Sequence, residues 1–278
     1  MPPPYQEKRS KIMNNSKVTL YRLFIHNLYG CYDYDIKFNS DLTLLYGSNG
    51  CGKTTILNIL ENIVTGNIAD LFKYSFKCIE LSYAVSLCVH TIHIKRKSNN
   101  NIELHYVGTE KVIAITPNSK AIQAIKEIFS HIYLPTKHHF SDTNKAKIKL
   151  SNRKKKLLLD TLNNFFGSGY MKKVQFNKTG GISVYSTMNG DTIPFSKLSS
   201  GEQQVFRFFN TLVGTGYSIL LMDNIETFLH ISWQRNFIDS VLKVHRNAQF
   251  IFATHSPAII TGHEKNAVLV SALTEKRD

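Results

Sequence analysis

Residues 42–64 read LTLLYGSNGCGKTTILNILENIV, and this stretch decides the fold. The apolar run LTLLY is typical of a buried strand, and it ends at Gly47, where a glycine-rich loop opens. After the loop, apolar residues recur at helical spacing, at Ile56, Ile59, Leu60 and Ile63. We therefore expect a strand, a loop and a helix in direct succession.

The loop GSNGCGKT, residues 47–54, matches the pattern G-x-x-x-x-G-K-[ST] in the strand–helix context that the pattern requires. Glycines here let backbone N–H groups wrap the phosphates of a nucleotide at the N-terminus of the helix. Lys53 is expected to pair with the β- and γ-phosphates, and Thr54 to place its hydroxyl on Mg²⁺. The predicted nucleotide-binding residues of this loop are Gly47, Ser48, Asn49, Gly50, Cys51, Gly52, Lys53, Thr54 and Thr55.

A second apolar run ends in an acid. Residues 217–226 read YSILLMDNIE, so Asp223 closes a predicted buried strand. A carboxylate at this place suits a magnesium site beside the phosphate-binding loop, with Thr54 and Asp223 as the predicted ligands. Asn224 follows directly, and the next acid is Glu226.

Two further segments complete an ordered series. LSSGEQQ, residues 198–204, precedes Asp223, and FIFATHSP, residues 250–257, follows it and contains His255. With the loop at 47–54, this order resembles the ATP-binding-cassette-type ATPases. Within them it resembles the branch of structural-maintenance, RecF-like and overcoming-lysogenization-defect-like proteins, and YLPT at 133–136 resembles a segment of the last two.

The resemblance implies a mechanism. Ser199, Gly201 and Glu202 would contact the γ-phosphate of ATP bound to the opposite protomer, and His255 would bind the γ-phosphate or the attacking water. The implied cofactors are ATP and Mg²⁺, and the implied assembly is a head-to-tail homodimer that encloses the nucleotides. The residues between Lys53 and Ser199 contain no long heptad pattern, so we expect no long coiled-coil arms.

Asn224 departs from the family pattern. By position it replaces the catalytic glutamate of the resembling ATPases, and an amide orients water but does not accept its proton. We therefore expect slow hydrolysis of ATP. Glu226 is either a substitute base or part of the contact between protomers, together with the segment Thr227–His230. The predicted catalytic residues are Asp223, Asn224, Glu226 and His255.

Composition favours an anionic partner but does not establish one. The 278 residues carry a net charge of +14, and the basic run KAKIKLSNRKKK occupies residues 145–156. This run either binds nucleic acid or is a solvated helix face. The four cysteines form no Cys-x-x-Cys pair, no apolar stretch approaches about 18 residues, and the N-terminus lacks a signal-peptide core. We expect a cytoplasmic protein with reduced thiols.

The predicted architecture is a single α/β domain over residues 1–278. It is a P-loop NTPase (ABC ATPase-like) core with a mixed sheet, an antiparallel β subdomain and a helical and hairpin insertion. Its parallel strands include 42–46, 217–223 and 249–255, and its antiparallel strands come from about 17–37 and 73–108. The expected division is a flexible lead-in at 1–15, an N-terminal lobe at 16–118, the insertion at 119–197, and a lobe at 198–278 with the signature, Asp223 and His255.

Three functions fit the sequence. The first is a nucleotide-switch ATPase that gates a partner effector, and the resemblance implies DNA repair or anti-phage defence. The second is a nucleotide-loaded scaffold or nucleic-acid-binding module with negligible hydrolysis, and the third is the nucleotide-binding subunit of a transporter. Tyr29 and Tyr32 are candidates for the adenine contact, although core or surface tyrosines are equally expected there.

Overall fold

The computed structural model describes residues 18–86, 88–108, 112–129, 132–133, 150–167, 171–177, 181–214 and 218–272. The predicted lead-in at 1–15, most of YLPT and the basic residues 145–149 lie outside these ranges. Within the described part of the chain, no helix is long and apolar enough to cross a membrane.

The described elements fall into three sheets and six α-helices. The strands are β1 (Val18–Leu28), β2 (Tyr32–Lys37), β3 (Leu42–Tyr46), β4 (Cys78–Val85), β5 (Cys88–Ser98), β6 (Asn101–Tyr106), β7 (Val112–Ile115), β8 (Ile132–Tyr133), β9 (Lys172–Phe176), β10 (Ile182–Ser186), β11 (Thr192–Ile193), β12 (Ile219–Met222), β13 (Gln249–Ala253) and β14 (Ala267–Leu269). The helices are α1 (Lys53–Val64), α2 (Gln123–Ile128), α3 (Asn152–Phe166), α4 (Ser200–Gly214), α5 (Ile231–Val244) and α6 (Pro257–Ile260). Short 3-10 helices cover Ile68–Lys73, Phe195–Lys197, Ile225–Phe228 and Glu264–Asn266.

The parallel sheet forms the centre of the fold, in the order β14-β3-β13-β12-β8. Its three middle strands read as continuous apolar runs because the sheet is covered on both faces. Along β13, Ile251 packs into the core on one side, while Phe250 and Phe252 pack into the core on the other. Helix α1 covers the first face, and α3, α4 and α5 cover the second.

The antiparallel strands form a separate sheet in the order β2-β1-β4-β5-β6-β7. A third sheet, β11-β10-β9, follows α3 and holds the predicted hairpin, with Gly190 at φ 76° in the turn before β11. The expected α/β fold with parallel and antiparallel strands is therefore confirmed. Strand β7 extends the antiparallel sheet beyond the predicted residues 73–108.

One buried side chain joins the two large sheets. The amide of Gln249, fully buried on β13, accepts a hydrogen bond from the backbone N–H of Leu20 at 2.8 Å. The same amide donates to the carbonyls of Leu20 and Asn39, each at 2.8 Å. The buried N–H and carbonyl of Leu20 and the part-buried carbonyl of Asn39 thereby gain a hydrogen-bond partner, which ties β1 to the first residue of β13.

Helix α3 begins inside the basic run 145–156. Ser151 precedes it in an extended conformation, and its hydroxyl accepts from the backbone N–H of Lys154 at 3.4 Å. The predicted helical part of the basic run is thus confirmed for residues 152–156. Leu158, Leu162 and Phe166 bury the opposite face of this helix against α4 and α5.

Candidate nucleotide-binding site

The phosphate-binding loop joins β3 to α1 and depends on three glycines with positive φ. Gly47 has φ 151°, Gly50 has φ 79° and Gly52 has φ 99°. Residues other than glycine adopt these backbone conformations only at a cost in free energy. A Cβ atom on Gly52 would lie 2.7 Å from the hydroxyl of Tyr34. That hydroxyl donates to the carbonyl of Cys51 at 3.1 Å, so Tyr34 holds the loop from the side of β2.

Lys53 lies folded back into the loop. Its ammonium group donates to the carbonyls of Gly47 at 2.9 Å and Ser48 at 3.1 Å. The residue is only 4% exposed, and its Nζ atom lies 3.4 Å from Nδ1 of His255. A buried ammonium held by carbonyl oxygens is a ready partner for a more strongly negative phosphate.

Thr54 and Asp223 meet, as the sequence predicts for a magnesium site. The Thr54 hydroxyl donates to Oδ2 of Asp223 at 2.7 Å. The other carboxylate oxygen, Oδ1, is buried and has no hydrogen-bond partner among the described residues. A buried carboxylate oxygen without a donor fits a cation or a cation-bound water. These two residues are therefore suited to Mg²⁺, although the described residues contain no cluster of three acidic, histidine or cysteine ligands.

Asn224 turns the chain directly after Asp223. It adopts a left-handed conformation with φ 48° and ψ 52°, which asparagine tolerates better than most residues. Its carbonyl accepts from the backbone N–H of Thr227 at 3.1 Å and from the Thr227 hydroxyl at 2.9 Å. The turn starts the 3-10 helix Ile225–Phe228 and directs Glu226 toward the end of β13.

The carboxylate of Glu226 binds the strand that carries His255. Its Oε2 accepts from the hydroxyl of Thr254 at 2.7 Å, and its Oε1 accepts from the backbone N–H of His255 at 2.9 Å. Sequence reasoning left Glu226 as a base or a dimer contact, and it did not identify Thr254. Only the three-dimensional turn at Asn224 brings these residues together.

The segment LSSGEQQ starts helix α4 with a reciprocal cap. The Ser199 hydroxyl accepts from the backbone N–H of Glu202 at 3.3 Å, and Glu202 accepts from the backbone N–H of Ser199 at 2.8 Å. Gly201 lies against the Thr227–His230 segment, since a Cβ atom there would be 3.0 Å from the carbonyl of Phe228. A side chain at position 201 would therefore have to push this carbonyl back by a few tenths of an ångström.

Glu202 is buried and paired with Lys172 of β9. The Lys172 ammonium lies 2.6 Å from Oε1 of Glu202, whose side chain is 4% exposed. Burial alone would raise the pKa of Glu202, but the hydrogen bonds from Lys172 and Ser199 outweigh it and hold the pKa below its usual value. Glu202 thus fixes the start of α4, and no pattern in the sequence pointed to Lys172.

A cavity of about 480 Å³ opens beside this helix start. It lies between the first turn of α4 and the segment before α5, and its polar lining includes Lys172, Ser199, Thr227 and His230. The contacts of this helix start run to other groups: Ser199 and Glu202 cap each other, Glu202 pairs with Lys172, and Gly201 lies against the carbonyl of Phe228. The structure therefore brings Lys53, Thr54, Asp223, Glu226 and His255 together and leaves the LSSGEQQ segment as a second surface.

The candidate adenine contacts lie on the side of β2. Tyr29 is 50% exposed and Tyr32 is 40% exposed. The ring of Tyr32 lies 6.4 Å from that of Tyr34, which contacts the loop. Tyr32 therefore presents an open aromatic side chain near the phosphate-binding loop.

These features define a P-loop ATPase domain, and comparison with known proteins gives its family. The family described as "AAA domain, putative AbiEii toxin, Type IV TA system" matches residues 115–261, just over half of the chain. The match includes the LSSGEQQ segment, Asp223 and His255, and the phosphate-binding loop precedes it. The chain belongs to this family of AAA-type ATPase domains.

Several curated proteins are similar to this chain. Septu protein PtuA of Bacillus thuringiensis is 24% identical over 315 aligned positions, which cover 92% of this chain and 76% of PtuA. Retron Vc95 probable ATPase of Vibrio cholerae serotype O1 biovar El Tor is 23% identical over 178 residues, 59% of this chain and 33% of that protein. Retron Ec83 probable ATPase of Escherichia coli is 50% identical over 50 residues, 18% of this chain and 9% of that protein. The chain thus spans a third or less of the two retron ATPases.

Solved structures that resemble the chain include heads of structural-maintenance proteins. The SMC head domain from Thermotoga maritima has a TM-score of 0.59 at 16% identity and covers 90% of this chain and 93% of its own. An Smc head bound to the C-winged helix domain of ScpA has a TM-score of 0.59 at 15% identity, with 93% and 98% covered. At these identities the likeness establishes the fold, an SMC head-like P-loop NTPase.

Proposed function

We propose that this chain is an ATP-binding, slowly hydrolysing ATPase that switches between monomer and head-to-tail homodimer and so gates a protein effector. Within its family we assign it to the RecF-like and overcoming-lysogenization-defect-like branch, without long coiled-coil arms. The observation that carries the proposal is the contact of Thr54 with Asp223 at 2.7 Å beside Lys53, which lies 3.4 Å from His255.

The residues of the loop bind and orient the nucleotide. Lys53 exchanges its carbonyl partners for the β- and γ-phosphates, and the N–H groups of residues 47–55 surround them. Thr54 and Asp223 would hold Mg²⁺, which would neutralise negative charge on the phosphate oxygens. His255 forms a hydrogen bond with the γ-phosphate or with the attacking water. We choose Tyr32 as the adenine contact.

The LSSGEQQ segment acts on the nucleotide of the second protomer. Ser199 supplies a hydroxyl, Gly201 permits close approach, and the positive end of α4 favours an anion. Glu202 contributes indirectly, because its carboxylate holds Ser199 and Lys172 in place. The segment Thr227–His230 lies against Gly201 and belongs to the same surface between protomers.

Asn224 makes the ATPase slow. Its amide orients a water molecule but does not take its proton, and loss of a well-placed base commonly costs about 10²–10⁴ in rate. A slow ATPase spends most of its cycle with ATP bound, which suits a clamp or a timer. The same residue supports the second candidate, a nucleotide-loaded scaffold with negligible hydrolysis.

The biological setting follows from the relatives. Two of them are named as retron ATPases and one as a Septu protein, and the coverage of PtuA is high. We therefore favour anti-phage defence over DNA repair, with the effector supplied by another protein. We propose a cytoplasmic location.

Nucleic acid is a further proposed partner. The exposed basic side chains Arg153, Lys154 and Lys156 of the surface at 145–156 lie at the start of α3. A groove of about 200 Å³ adds two bases from a distant part of the chain, because Lys154 lines it together with His245 and Arg246. Basic groups converging from α3 and from the end of α5 suit a phosphate backbone.

Two measurements test these proposals. Titration calorimetry with Mg-ATP should detect binding by the wild type and a large loss of affinity in Lys53→Ala, whereas equal binding would contradict the site.

Affinity for duplex DNA should fall as salt rises. The double variant Lys154→Gln with Arg246→Gln should reduce the slope of log affinity against log salt concentration by about 0.9 for each lost phosphate contact. A slope that the double variant leaves unchanged would remove the groove from the nucleic-acid site.

A further inference from the structure

The carboxylate of Glu226 is committed to the strand that ends in His255. Its two oxygens accept from the Thr254 hydroxyl at 2.7 Å and from the His255 backbone N–H at 2.9 Å. Thr254 is fully buried, so its hydroxyl has no water to replace this partner. A hydrogen bond to a carboxylate is stronger than one between neutral groups, and here two of them act on adjacent residues.

A second link joins the same two segments. Gln234, in the first turns of α5 and 8% exposed, accepts from the Ser256 hydroxyl at 2.5 Å. Its amide nitrogen donates to the carbonyl of Leu229 at 3.2 Å. The Thr254 hydroxyl in turn accepts from the backbone N–H of Ser256 at 3.0 Å. Residues 254–256 are therefore held by side chains from both ends of the segment 225–234.

The chain of contacts from segment 225–234 through residues 254–256 continues into the nucleotide site. Nδ1 of His255 lies 3.4 Å from Nζ of Lys53, inside the phosphate-binding loop. At its other end the segment is open to solvent, since Thr227, His230 and Ile231 are exposed and Ile231 is 62% exposed. A contact made on this exposed segment would thus reach the γ-phosphate side of the site through one carboxylate.

We propose that Glu226 is a positioning residue: its carboxylate couples the segment 225–231 to residues 254–255 and so sets the position of His255. The inference rests on the proposed function, because it concerns regulation of the same ATP site. It assigns Glu226 a role other than a substitute base. The side chain fixes the backbone of residues 254–255 and acts on the nucleotide through His255 alone.

The chemistry of glutamine separates positioning from base catalysis. In Glu226→Gln the amide oxygen still accepts from His255, and the amide nitrogen donates to the Thr254 hydroxyl, which has one lone pair left after it accepts from Ser256. Both links survive but a base does not. Glu226→Ala removes both links. Thr254→Val removes one link at nearly constant volume, and Thr254→Ser is its matched control because it keeps the hydroxyl.

The experiment is single-turnover hydrolysis of radiolabelled Mg-ATP with protein in excess, alongside the dissociation constant of ATP and thermal unfolding. Glu226→Ala should lower the rate constant by about 10²-fold, as expected for a catalytic group displaced by about 1 Å, while the dissociation constant changes little. Glu226→Gln and Thr254→Ser should retain most of the rate, and Thr254→Val should lose part of it. The losses in Glu226→Ala and Thr254→Val should combine less than additively.

Each alternative outcome has a distinct meaning. If Glu226→Gln loses as much rate as Glu226→Ala, the negative charge matters and the positioning role is wrong. If Glu226→Ala keeps the wild-type rate, or if the rate falls only in parallel with thermal stability, the coupling is also wrong. If the wild type itself binds no ATP, the proposed function fails. Should turnover be too slow to observe, the amide resonance of His255 must shift further in Glu226→Ala than in Glu226→Gln, and equal shifts would overturn the proposal.

Discussion

The hydroxyl of Thr54, at the start of α1, donates to the carboxylate of Asp223 at 2.7 Å. Thr54 follows the loop after β3 and Asp223 follows β12, and β13 lies between these two strands. Strands β3 and β12 flank β13, and all three run parallel. Their carboxyl ends meet at one edge, so His255 at the end of β13 lies between the loop after β3 and the acid after β12. The topology alone therefore assembles the site, and Thr54 and Asp223 close it around the place where phosphate would lie.

The rate of hydrolysis should depend on residue 224. We expect Asn224→Glu to raise the turnover number by about 10²–10⁴, because a carboxylate accepts the proton of the attacking water. Steady-state release of phosphate measures the effect. Since residue 224 has φ 48°, any side chain other than asparagine or glycine adds backbone strain there.

Asn224→Gln is the matched control, because glutamine has the length of glutamate and the same strain but no charge. It should stay at or below the wild-type rate. Equal rates for Asn224→Glu and Asn224→Gln would mean that a carboxylate introduced at position 224 does not act as a base.

Gly52 and Gly50 form a matched pair for the loop. Both have positive φ, but a Cβ atom on Gly50 meets nothing within 4 Å, whereas one on Gly52 lies 2.7 Å from the Tyr34 hydroxyl. Gly50→Ala should lower the free energy of unfolding by about 1–2 kcal/mol from strain alone. Gly52→Ala should lower it further, as measured by urea unfolding.

Tyr34→Phe tests the cause of that difference. Removing the hydroxyl costs its bond to Cys51, about 1 kcal/mol, but it relieves the closest contact of a Cβ atom introduced at position 52. Gly52→Ala should therefore be less destabilising in the Tyr34→Phe background than in the wild type. An additive pair would show that the contact with Tyr34 does not decide the requirement for glycine.

The pair of Lys172 and Glu202 should stabilise the fold in a pH-dependent way. Lys172→Met should lower the free energy of unfolding by about 1.5–3 kcal/mol at neutral pH, because Glu202 then loses a bond to a charged group. The pKa of Glu202 is lowered in the folded protein, so its contribution is present above the pKa of the unfolded carboxyl group, about 4.3. That contribution is lost as the pH falls through the lower folded value.

The stability difference between wild type and Lys172→Met should therefore shrink in acid, in urea unfolding followed from pH 7 downward. Lys173→Met is the control, since this neighbouring lysine is exposed and its loss should change little at any pH. A difference for Lys172→Met that is constant with pH would show that Glu202 does not depend on Lys172.

Gln249 should make a large contribution to the free energy of unfolding, although it is a polar residue in the core. Gln249→Leu leaves the buried N–H and carbonyl of Leu20 and the part-buried carbonyl of Asn39 without this partner. Each such group costs about 1–3 kcal/mol, so the free energy of unfolding should fall by several kcal/mol. Gln175→Leu on the exposed side of β9 is the control, and equal midpoints of urea unfolding for the two variants would contradict this account.

Sequence reasoning predicted the loop, Asp223 and His255 because each lies at the end of an apolar strand, where a local pattern fixes both fold and position. It did not predict Thr254, Gln234 or Lys172 as parts of the site. Their partners are distant in the chain, and a threonine, a glutamine or a lysine carries no periodic signal. The orientation of Glu226 was also beyond the sequence, since it follows from the left-handed turn at Asn224.

The parallel sheet was predictable for a related reason. Strands buried on both faces are mostly apolar, so β3, β12 and β13 stand out from the chain. The order of these strands and the placement of β13 between the other two are set by long-range packing and carry no local signature. That order brings His255 between Lys53 and Asp223.

The most direct test of the switch is the molar mass in solution by light scattering, with Mg-ATP, with Mg-ADP and without nucleotide. We predict that the wild type doubles its mass only with Mg-ATP and keeps that mass for many minutes because hydrolysis is slow. Lys53→Ala should keep the mass of one chain throughout. A wild type that stays monomeric in every nucleotide state would contradict the account.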